Sequence, residues 1–171
     1  MCGIAGFSKN INKKDSSTIN AMLDAIAHRG PDGRGVELFD KAAFGHVRLA
    51  IIDIVGGRQP IKSFDGRYTL ILNGEIYNYL ELRQMLIKKG YELKTHSDAE
   101  VLLYMYYEYG ERALNFLNGM FAFAVYDNVQ KSIFLARDHF GVKPLYYYRG
   151  KDFFVFASEI KAILKYPDVR S

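Results

Sequence analysis

The sequence is poor in the residues that cross-link small proteins or bind metals. Its 171 residues include one cysteine, four histidines and no tryptophan. A single cysteine excludes an internal disulfide, leaves no thiolate cluster for zinc and fits a reducing compartment. The histidines do not stand at H-x-x-x-H spacing, so we expect no bound metal.

Long apolar runs and dense runs of charge are missing as well. No apolar stretch approaches the roughly 18 residues of a membrane span, and the chain does not open on a signal-peptide pattern. The net charge of +4 is spread along the chain, without the basic run typical of nucleic-acid binding. The glycines match no nucleotide-binding loop. We therefore expect a cytoplasmic protein with no membrane or nucleic-acid partner.

What the chain does contain is enough apolar material for a core. Hydrophobic residues make up 49% and aromatic residues 15% of the sequence, which indicates an ordered globule, most simply one domain over residues 1–171. Apolar spacing predicts strands, then helices, then strands, and hence an α+β fold with mostly antiparallel sheets. The predicted elements include strands at 36–39, 42–52 and 68–72, a helix at 80–89, and one from Ser97 with Glu100 as its capping-box acid.

The only cysteine stands at the second position of the chain. Enzymes that trim Met1 prefer a small second residue, and removal would leave Cys2 as the N-terminus. It would then carry a thiol, with a pKa of about 8.5, and an α-amine, with a pKa of roughly 7.7–8.0. A nucleophile and a base that both titrate near neutral pH suit acyl transfer. The alternative is a chance Met-Cys start on an ordinary first strand.

Polar residues interrupt two apolar strands. Alternation puts Arg48 on the same side of its strand as His46, where its guanidinium needs an anionic partner, either a carboxylate ligand or a structural ion pair. Asn73 and Gly74 directly follow the buried strand at 68–72. A side-chain amide beside a backbone N–H could form an oxyanion hole, or the two residues could be a plain turn.

Other charged residues leave alternatives open. Asp98 is either a helix N-cap or the partner of a cationic substrate group. Arg29 and Asp32 could pair to hold a glycine-rich loop over a pocket, or they could be solvated. His46 is the best candidate for a Cys–His pair, which the α-amine of a terminal Cys2 would make unnecessary.

In this order the segments resemble the class II glutamine amidotransferases, whose glutaminase domains carry an N-terminal nucleophile. They are most similar to the glutaminase domains of glutamine-hydrolysing asparagine synthetases. Each motif is weak alone, but together they cover nearly the whole chain. The motifs are Met1-Cys2-Gly3-Ile4-Ala5-Gly6, Arg29-Gly30-Pro31-Asp32-Gly33, Gly45-His46-Val47-Arg48-Leu49-Ala50-Ile51-Ile52-Asp53, Gln59-Pro60, Leu72-Asn73-Gly74-Glu75-Ile76-Tyr77-Asn78, Ser97-Asp98-Ala99-Glu100, Leu117-Asn118-Gly119-Met120-Phe121-Ala122-Phe123, Arg137-Asp138-His139-Phe140-Gly141-Val142-Lys143-Pro144-Leu145-Tyr146-Tyr147 and Ala157-Ser158-Glu159-Ile160-Lys161. One small departure is Ala99, where the family often has Thr.

The resemblance implies a role for each candidate residue. Cys2, once terminal, attacks the side-chain amide of glutamine with its own α-amine as base, and Asn73 and Gly74 hold the oxyanion. Arg48 takes the α-carboxylate of glutamine and Asp98 takes its α-ammonium. The rest of the pocket is lined by Leu49, Ile51, Ile52 and Glu75.

The resemblance also implies a four-layer αββα sandwich, the N-terminal-nucleophile hydrolase fold, and a glutaminase step without a cofactor. In asparagine synthetases a C-terminal synthetase domain uses ATP and Mg²⁺, but its Ser-Gly-Gly-Leu-Asp-Ser-type loop does not occur in these 171 residues. We therefore expect that domain as a partner, docked on apolar surface near residue 171. The open alternatives are another acceptor such as a sugar, a non-catalytic glutamine-binding module, and a self-processing hydrolase of another amide. A homodimer is also left open.

Overall fold

The fold is a sandwich of two β-sheets with helices on both outer faces. The structure, a computed structural model, describes residues 2–11, 15–53 and 56–169. Its strands are β1 (Gly3–Ser8), β2 (Gly33–Leu38), β3 (Ala42–Arg48), β4 (Ile61–Lys62), β5 (Tyr68–Ile76), β6 (Gly119–Asp127), β7 (Ser132–Arg137), β8 (Tyr146–Arg149) and β9 (Phe154–Ala157). Its helices are α1 (Asp15–Ala25), α2 (Tyr79–Lys88), α3 (Asp98–Tyr109) and α4 (Ile160–Ile163), with 3-10 turns at Ala27–Arg29 and Gly110–Phe116.

The layers follow from which face of each sheet is apolar. The first sheet has the order β2-β3-β1-β9-β8 and the second the order β4-β5-β6-β7, with antiparallel neighbours in both. Helices α1 and α4 cover the outer face of the first sheet through a cluster that includes Leu23 and Ile163. Helices α2 and α3 cover the second sheet through Leu86 and Leu102. The predicted α+β, four-layer αββα sandwich is confirmed.

Alternation along the strands decides which side chains meet between the sheets. Phe44 of β3 and Ile71 of β5 belong to the apolar cluster of this inner layer. Successive side chains of a strand point to opposite faces, so His46 and Arg48 follow Phe44 on the inner side, and Asn73 follows Ile71. These polar side chains therefore enter the inner layer together, at one end of the sandwich.

The three strands predicted with bounds have different ends in the structure, and the one predicted at 36–39 spans Gly33–Leu38. The strand predicted at 42–52 ends at Arg48, because the next segment is held by the glycine-rich loop, where Asp32 accepts the N–H of Ala50 at 2.8 Å. The strand predicted at 68–72 continues to Ile76, so Asn73 lies within β5 and not after it. Pairing with β6 is unbroken along this strand, and the ladder outweighs the low strand propensity of Asn and Gly.

Helix α3 begins where the sequence predicts, with Ser97 as its N-cap. The Ser97 hydroxyl accepts the N–H of Glu100 at 3.2 Å. The predicted second half of the capping box is wrong, because the Glu100 carboxylate accepts the N–H groups of Lys94 and Thr95 at 2.9 and 2.7 Å. Asp98 is consequently the first helical residue and not the cap.

The described helices are all short or half-polar. Across residues 2–11, 15–53 and 56–169, none is long and apolar enough to cross a membrane.

Candidate active site

The residues proposed from the sequence line one cavity at the polar end of the inner layer. Its volume is about 100 Å³, a size that suits part of an amino acid and is small for a nucleotide. The lining includes Cys2, Arg48, Leu49, Ile51, Ile52, Asn73, Gly74, Glu75 and Asp98. Both sheets and α3 thus bring together side chains from distant parts of the chain.

Cys2 lies just before β1, with its thiol against the backbone of Leu49. The N–H of Leu49 donates to Sγ at 3.4 Å, and its carbonyl oxygen lies 3.5 Å from Sγ. Burial raises the pKa of the Cys2 thiol above its ordinary value, although the Leu49 N–H and the nearby Arg48 guanidinium oppose the rise. The thiol is therefore protonated near neutral pH, and it needs a base before it can attack a carbonyl carbon. Met1, whose removal the sequence analysis requires, lies outside the described residues.

Arg29 holds the backbone next to the thiol. Its Nε donates to the carbonyl oxygen of Cys2 at 3.0 Å, and its Nη1 donates to Glu159 at 3.0 Å. Neither alternative left open for these residues holds, because Arg29 does not pair with Asp32 and neither is merely solvated: Asp32 accepts the N–H of Ala50. The same loop positions both the nucleophile and the segment after β3.

Arg48 ends β3 at the cavity wall, where its guanidinium also binds the following loop. Its Nη2 donates to the carbonyl oxygens of Asp53 at 2.5 Å and Ile52 at 3.4 Å. The Asp53 carboxylate accepts the N–H of His96 and that of Gly56, each at 2.8 Å, and these bonds hold its pKa below the usual range. Asp53 thus links the loop after β3 to the segment before α3. The sequence analysis missed this link, because a lone Asp in a loop carries no distinguishing pattern.

Three alternate residues of β5 direct their backbone N–H groups to the strand edge that faces the cavity: Leu72, Gly74 and Ile76. Successive residues of an antiparallel strand direct their N–H groups to opposite neighbours. The N–H of Leu72 donates to the side chain of Gln59 at 2.6 Å, and that of Ile76 donates to Asp98 at 3.0 Å. Gly74 lies midway between them on the strand, so its N–H points to the same edge and faces the cavity that Gly74 lines.

Asn73 supplies a second donor beside that N–H. Its side chain is fully buried, and within the described part of the chain neither its Oδ1 nor its Nδ2 has a hydrogen-bond partner. An unpaired buried amide costs about 1–3 kcal/mol, and a substrate oxygen in the cavity is a partner that would offset this cost. Gly74 is required sterically, because a Cβ there would lie 2.2 Å from the carbonyl oxygen of Met120 on β6.

Asp98 occupies the first turn of α3, at the opposite wall. Burial raises the pKa of its carboxyl group, and the negative charge of Glu75 adds to the rise, while the N–H of Ile76 opposes it. A buried carboxylate with another carboxylate nearby gains most from a cation placed in the cavity. Its position fits the ammonium-binding alternative of the two proposed from the sequence, since Ser97 is the cap.

His46 is buried between the sheets, and the structure gives no support to a Cys2–His46 pair. Its Nε2 lies 3.1 Å from the carbonyl oxygen of Leu72. Burial lowers the pKa of His46 to about 4, so the neutral ring donates Nε2–H to that oxygen. The other histidines, at 28, 96 and 139, are exposed. Among the described residues, no group of three or more His, Cys, Asp or Glu side chains is placed to hold a metal ion.

The cavity also has lining residues that the sequence analysis did not single out. Gln59, Met120 and Lys143 lie in its wall. Lys143 is 4% exposed, and its backbone N–H donates to Asp138 at 3.0 Å. Each stands inside a motif of the resemblance, but neither the spacing nor the residue type distinguishes a cavity residue from a structural one there.

Comparison of the sequence with known proteins indicates the same chemistry as the residues that line the cavity. A family model described as a glutamine amidotransferase domain matches residues 1–171. Asparagine synthetase [glutamine-hydrolyzing] 3 of Bacillus subtilis is 45% identical over 176 residues, covering 100% of this chain and 28% of the relative. A putative asparagine synthetase [glutamine-hydrolyzing] 2 of Methanocaldococcus jannaschii is 39% identical, covering 99% of this chain and 36% of the relative. The chain thus spans about a third or less of the length of these relatives.

Solved structures show the same fold in a related enzyme. The glutamine phosphoribosylpyrophosphate amidotransferase of B. subtilis superposes with a TM-score of 0.79 at 25% identity, over 95% of this chain and 43% of that one. A structure described as the allosteric regulatory enzyme of purine biosynthesis gives a TM-score of 0.81, also at 25% identity, over 96% of this chain and 43% of that one. By the family model and the curated relatives, this chain belongs to the class II glutamine amidotransferases, with an N-terminal-nucleophile hydrolase fold.

Proposed function

We propose that this chain hydrolyses the side-chain amide of glutamine to glutamate and ammonia. The observation that carries the proposal is the buried, unpartnered Asn73 amide in the cavity that also holds the Cys2 thiol. A pre-positioned donor beside a nucleophile is what acyl transfer requires, and one such donor contributes about 3–4 kcal/mol to lowering a barrier. Arg48 and Asp98 on the walls match the two charged groups of an α-amino acid.

In the proposed reaction the proton of the thiol passes to the α-amine of a terminal Cys2. The sulfur then bonds to the amide carbon of glutamine, and the oxygen takes the negative charge between Asn73 and Gly74. The carbon–nitrogen bond breaks as ammonia leaves with the proton, which gives a thioester. Water attacks the thioester, the carbon–sulfur bond breaks, and glutamate leaves as the thiol regains a proton. The raised thiol pKa explains why a base is needed.

We further propose that the ammonia serves a C-terminal synthetase domain that makes asparagine. The support is the length of the relatives, of which this chain matches 28% and 36% in the two cases above. Helix α4 also leaves Ile160 and Leu164 54% and 47% exposed, one turn apart, as a docking surface would require. ATP and Mg²⁺ would act only in that domain, and the glutaminase step would need no cofactor. A reducing cytoplasmic location is part of the proposal, because the Cys2 thiol must stay reduced to react.

The test measures glutamate release from glutamine, together with the intact mass of the protein. A form without Met1 should turn over glutamine, whereas Cys2→Ala and a form that keeps Met1 should lose at least about 10³-fold in kcat. Ser8→Ala, at the far end of β1, the strand that follows Cys2, is the matched control and should keep full activity. Activity that survives both changes at residues 1 and 2 would sink the mechanism.

The same preparation separates the remaining alternatives. Glutamine binding without turnover would identify a non-catalytic module. In the full-length protein, transfer of the glutamine nitrogen to a sugar would assign another acceptor. Transfer to aspartate in the presence of ATP would not. Hydrolysis of amides without an α-carboxylate or α-ammonium group would favour a different hydrolase.

A further inference from the structure

The backbone N–H and C=O of Leu72, directly before the proposed oxyanion hole, are held by two side chains instead of a neighbouring strand. Strand β4 pairs with β5 only at Ile61↔Leu70 and Lys62↔Thr69. Beyond that short ladder, no strand among residues 2–11, 15–53 and 56–169 takes the outward N–H and C=O groups at this edge of β5, which must still be satisfied when buried. Leu72 is 2% exposed, so both of its polar backbone groups need partners from elsewhere.

Gln59 supplies the acceptor. The register of the β4–β5 pair, continued by two positions, places Gln59 opposite Leu72. Its own carbonyl oxygen is turned to the first sheet, where it would lie 1.9 Å from a Cβ on Gly35. The side-chain Oε1 accepts the N–H of Leu72 at 2.6 Å in its place. Gln59 thus extends the ladder with its side chain, past the point where the backbone of β4 leaves the sheet.

His46 supplies the donor. Its Nε2 lies 3.1 Å from the carbonyl oxygen of Leu72, and its ring is 1% exposed. His46 stands on β3, two residues before Arg48, and pairs across β3–β1 with Ile4. This bond therefore crosses from the sheet that carries Cys2 to the strand that carries Asn73, and it ties the two halves of the cavity together.

We propose that Gln59 and His46 are positioning residues that hold the backbone of Leu72 on both sides of its Cα, and through it set the directions of the Asn73 amide and the Gly74 N–H. The inference rests on the proposed glutaminase function. The N–H and the C=O of Leu72 belong to the two peptide groups on either side of its Cα, so neither of these groups can rotate without breaking a buried hydrogen bond. The second of them joins Leu72 to Asn73, and Asn73 and Gly74 carry the donors. Orientation of such donors matters mainly for the tetrahedral intermediate, because their hydrogen bonds strengthen as the oxygen becomes an anion.

The experiment compares binding of two ligands in single variants. Glutamate γ-semialdehyde, an aldehyde analogue of glutamine, is in equilibrium with its cyclic imine, and this equilibrium is the same for every variant. The Cys2 sulfur bonds to the carbonyl carbon of the open form as the thiol proton passes to the α-amine of Cys2, and the C=O π electrons move to the oxygen, which enters the oxyanion hole. Glutamate fills the same cavity without forming that bond. Gln59→Met removes the acceptor at similar length, and we expect it to weaken the aldehyde about 10-fold and lower kcat about 10-fold, with glutamate affinity and KM within about 2-fold.

A second pair of variants tests His46, whose burial makes some substitutions disruptive. His46→Gln can keep a donor near Leu72, and it should retain more aldehyde affinity than His46→Leu at equal glutamate affinity. Gln84→Met, on the exposed face of α2, is the matched control for Gln59→Met and should change nothing. Thermal unfolding of each variant shows whether it is folded.

The outcomes separate this inference from the function on which it rests. If the unsubstituted chain neither hydrolyses glutamine nor binds the aldehyde, the proposed function fails. If it does both, and Gln59→Met weakens glutamate as much as the aldehyde, Gln59 contacts the ligand directly and the positioning role is overturned. An unchanged aldehyde affinity in Gln59→Met and His46→Leu overturns it as well.

Discussion

The two sheets contribute to the cavity in different ways. The first sheet offers Cys2 and Arg48 from strand ends, where loop residues fix them, as in the hydrogen bond from Arg29 to the Cys2 carbonyl oxygen. The second sheet offers Asn73 and Gly74 from inside β5, where pairing with β6 is continuous on one side. A nucleophile at a strand end can approach and leave the substrate, whereas donors inside a strand stay in place. The difference matches what the proposed chemistry asks of each group.

The largest effect is expected from a substitution that removes the oxyanion donor supplied by the second sheet. We expect Asn73→Ala to lower kcat about 10²–10³-fold, the cost of one oxyanion donor. Its free energy of unfolding should change by less than about 1 kcal/mol, because the buried amide has no partner to lose in the free protein. Steady-state kinetics and urea unfolding measure the two quantities. A large loss of stability with little loss of kcat would make Asn73 a structural residue and break the comparison.

Burial of His46 between the sheets predicts a pH dependence of stability, although its hydrogen bond to Leu72 opposes the shift in pKa. The pKa of His46 is lowered from 6.5 to about 4 in the folded protein, so between these pH values the unfolded chain binds more protons. Stability should therefore fall by about 3 kcal/mol as the pH is lowered from 6.5 to 4, and be fully present above 6.5. Urea unfolding at several pH values measures the slope. His46→Gln should remove this part of the slope.

Close packing of β5 against β6 predicts that a side chain added at position 74 lowers the stability of the protein. A Cβ at position 74 would lie 2.2 Å from the carbonyl oxygen of Met120, so Gly74→Ala must push the two strands apart. We expect a loss of about 1–3 kcal/mol in the free energy of unfolding, together with lower kcat. Gly66→Ala is the control. Gly66 has a positive φ, of 71°, but a Cβ there would meet no other atom within 4 Å. Equal losses in both variants would show that backbone conformation, and not crowding beside the site, sets the cost.

The first sheet's contribution to the site could be read from the sequence more completely than the second's. Cys2 and Arg48 are unusual residues for their positions, a lone cysteine and a guanidinium in an apolar strand, so chemistry alone marks them. Asn73 and Gly74 were identified as donors but placed after a strand, since their residue types favour turns. Only the pairing with β6, a contact distant in sequence, shows that they lie inside β5.

Residues that contribute to the site only by holding another residue in place could not be predicted from the sequence. Gln59 bonds to Leu72, and Asp53 bonds to His96, across loops whose path no local pattern encodes. For Arg29 the sequence offers Asp32, a nearby carboxylate, or solvent as partner, but its partner in the fold is Glu159, from the far end of the chain. Residue type indicates that a charge needs a partner, and the tertiary fold decides which one it finds.

The smallest expected effect tests how firmly the first sheet holds its nucleophile. The Glu159 carboxylate accepts from Arg29 at 3.0 Å and lies 3.0 Å from Lys161, and these cations hold its pKa below the usual range against the effect of burial. Glu159→Gln keeps an oxygen for Arg29 but removes the charge. We expect about 1 kcal/mol lower stability and a roughly 3-fold lower kcat, because Arg29 orients the Cys2 carbonyl less tightly.

A distant ion pair provides the control for this last change. Glu37 accepts from Lys62 at 2.8 Å near the surface of the sandwich, and Glu37→Gln should cost no more than about 1 kcal/mol while leaving kcat unchanged. If both variants lower kcat equally, the loss reflects general stability and not the position of the thiol. If neither does, Arg29 holds the Cys2 backbone without help from Glu159, and the strand end is more rigid than its contacts suggest.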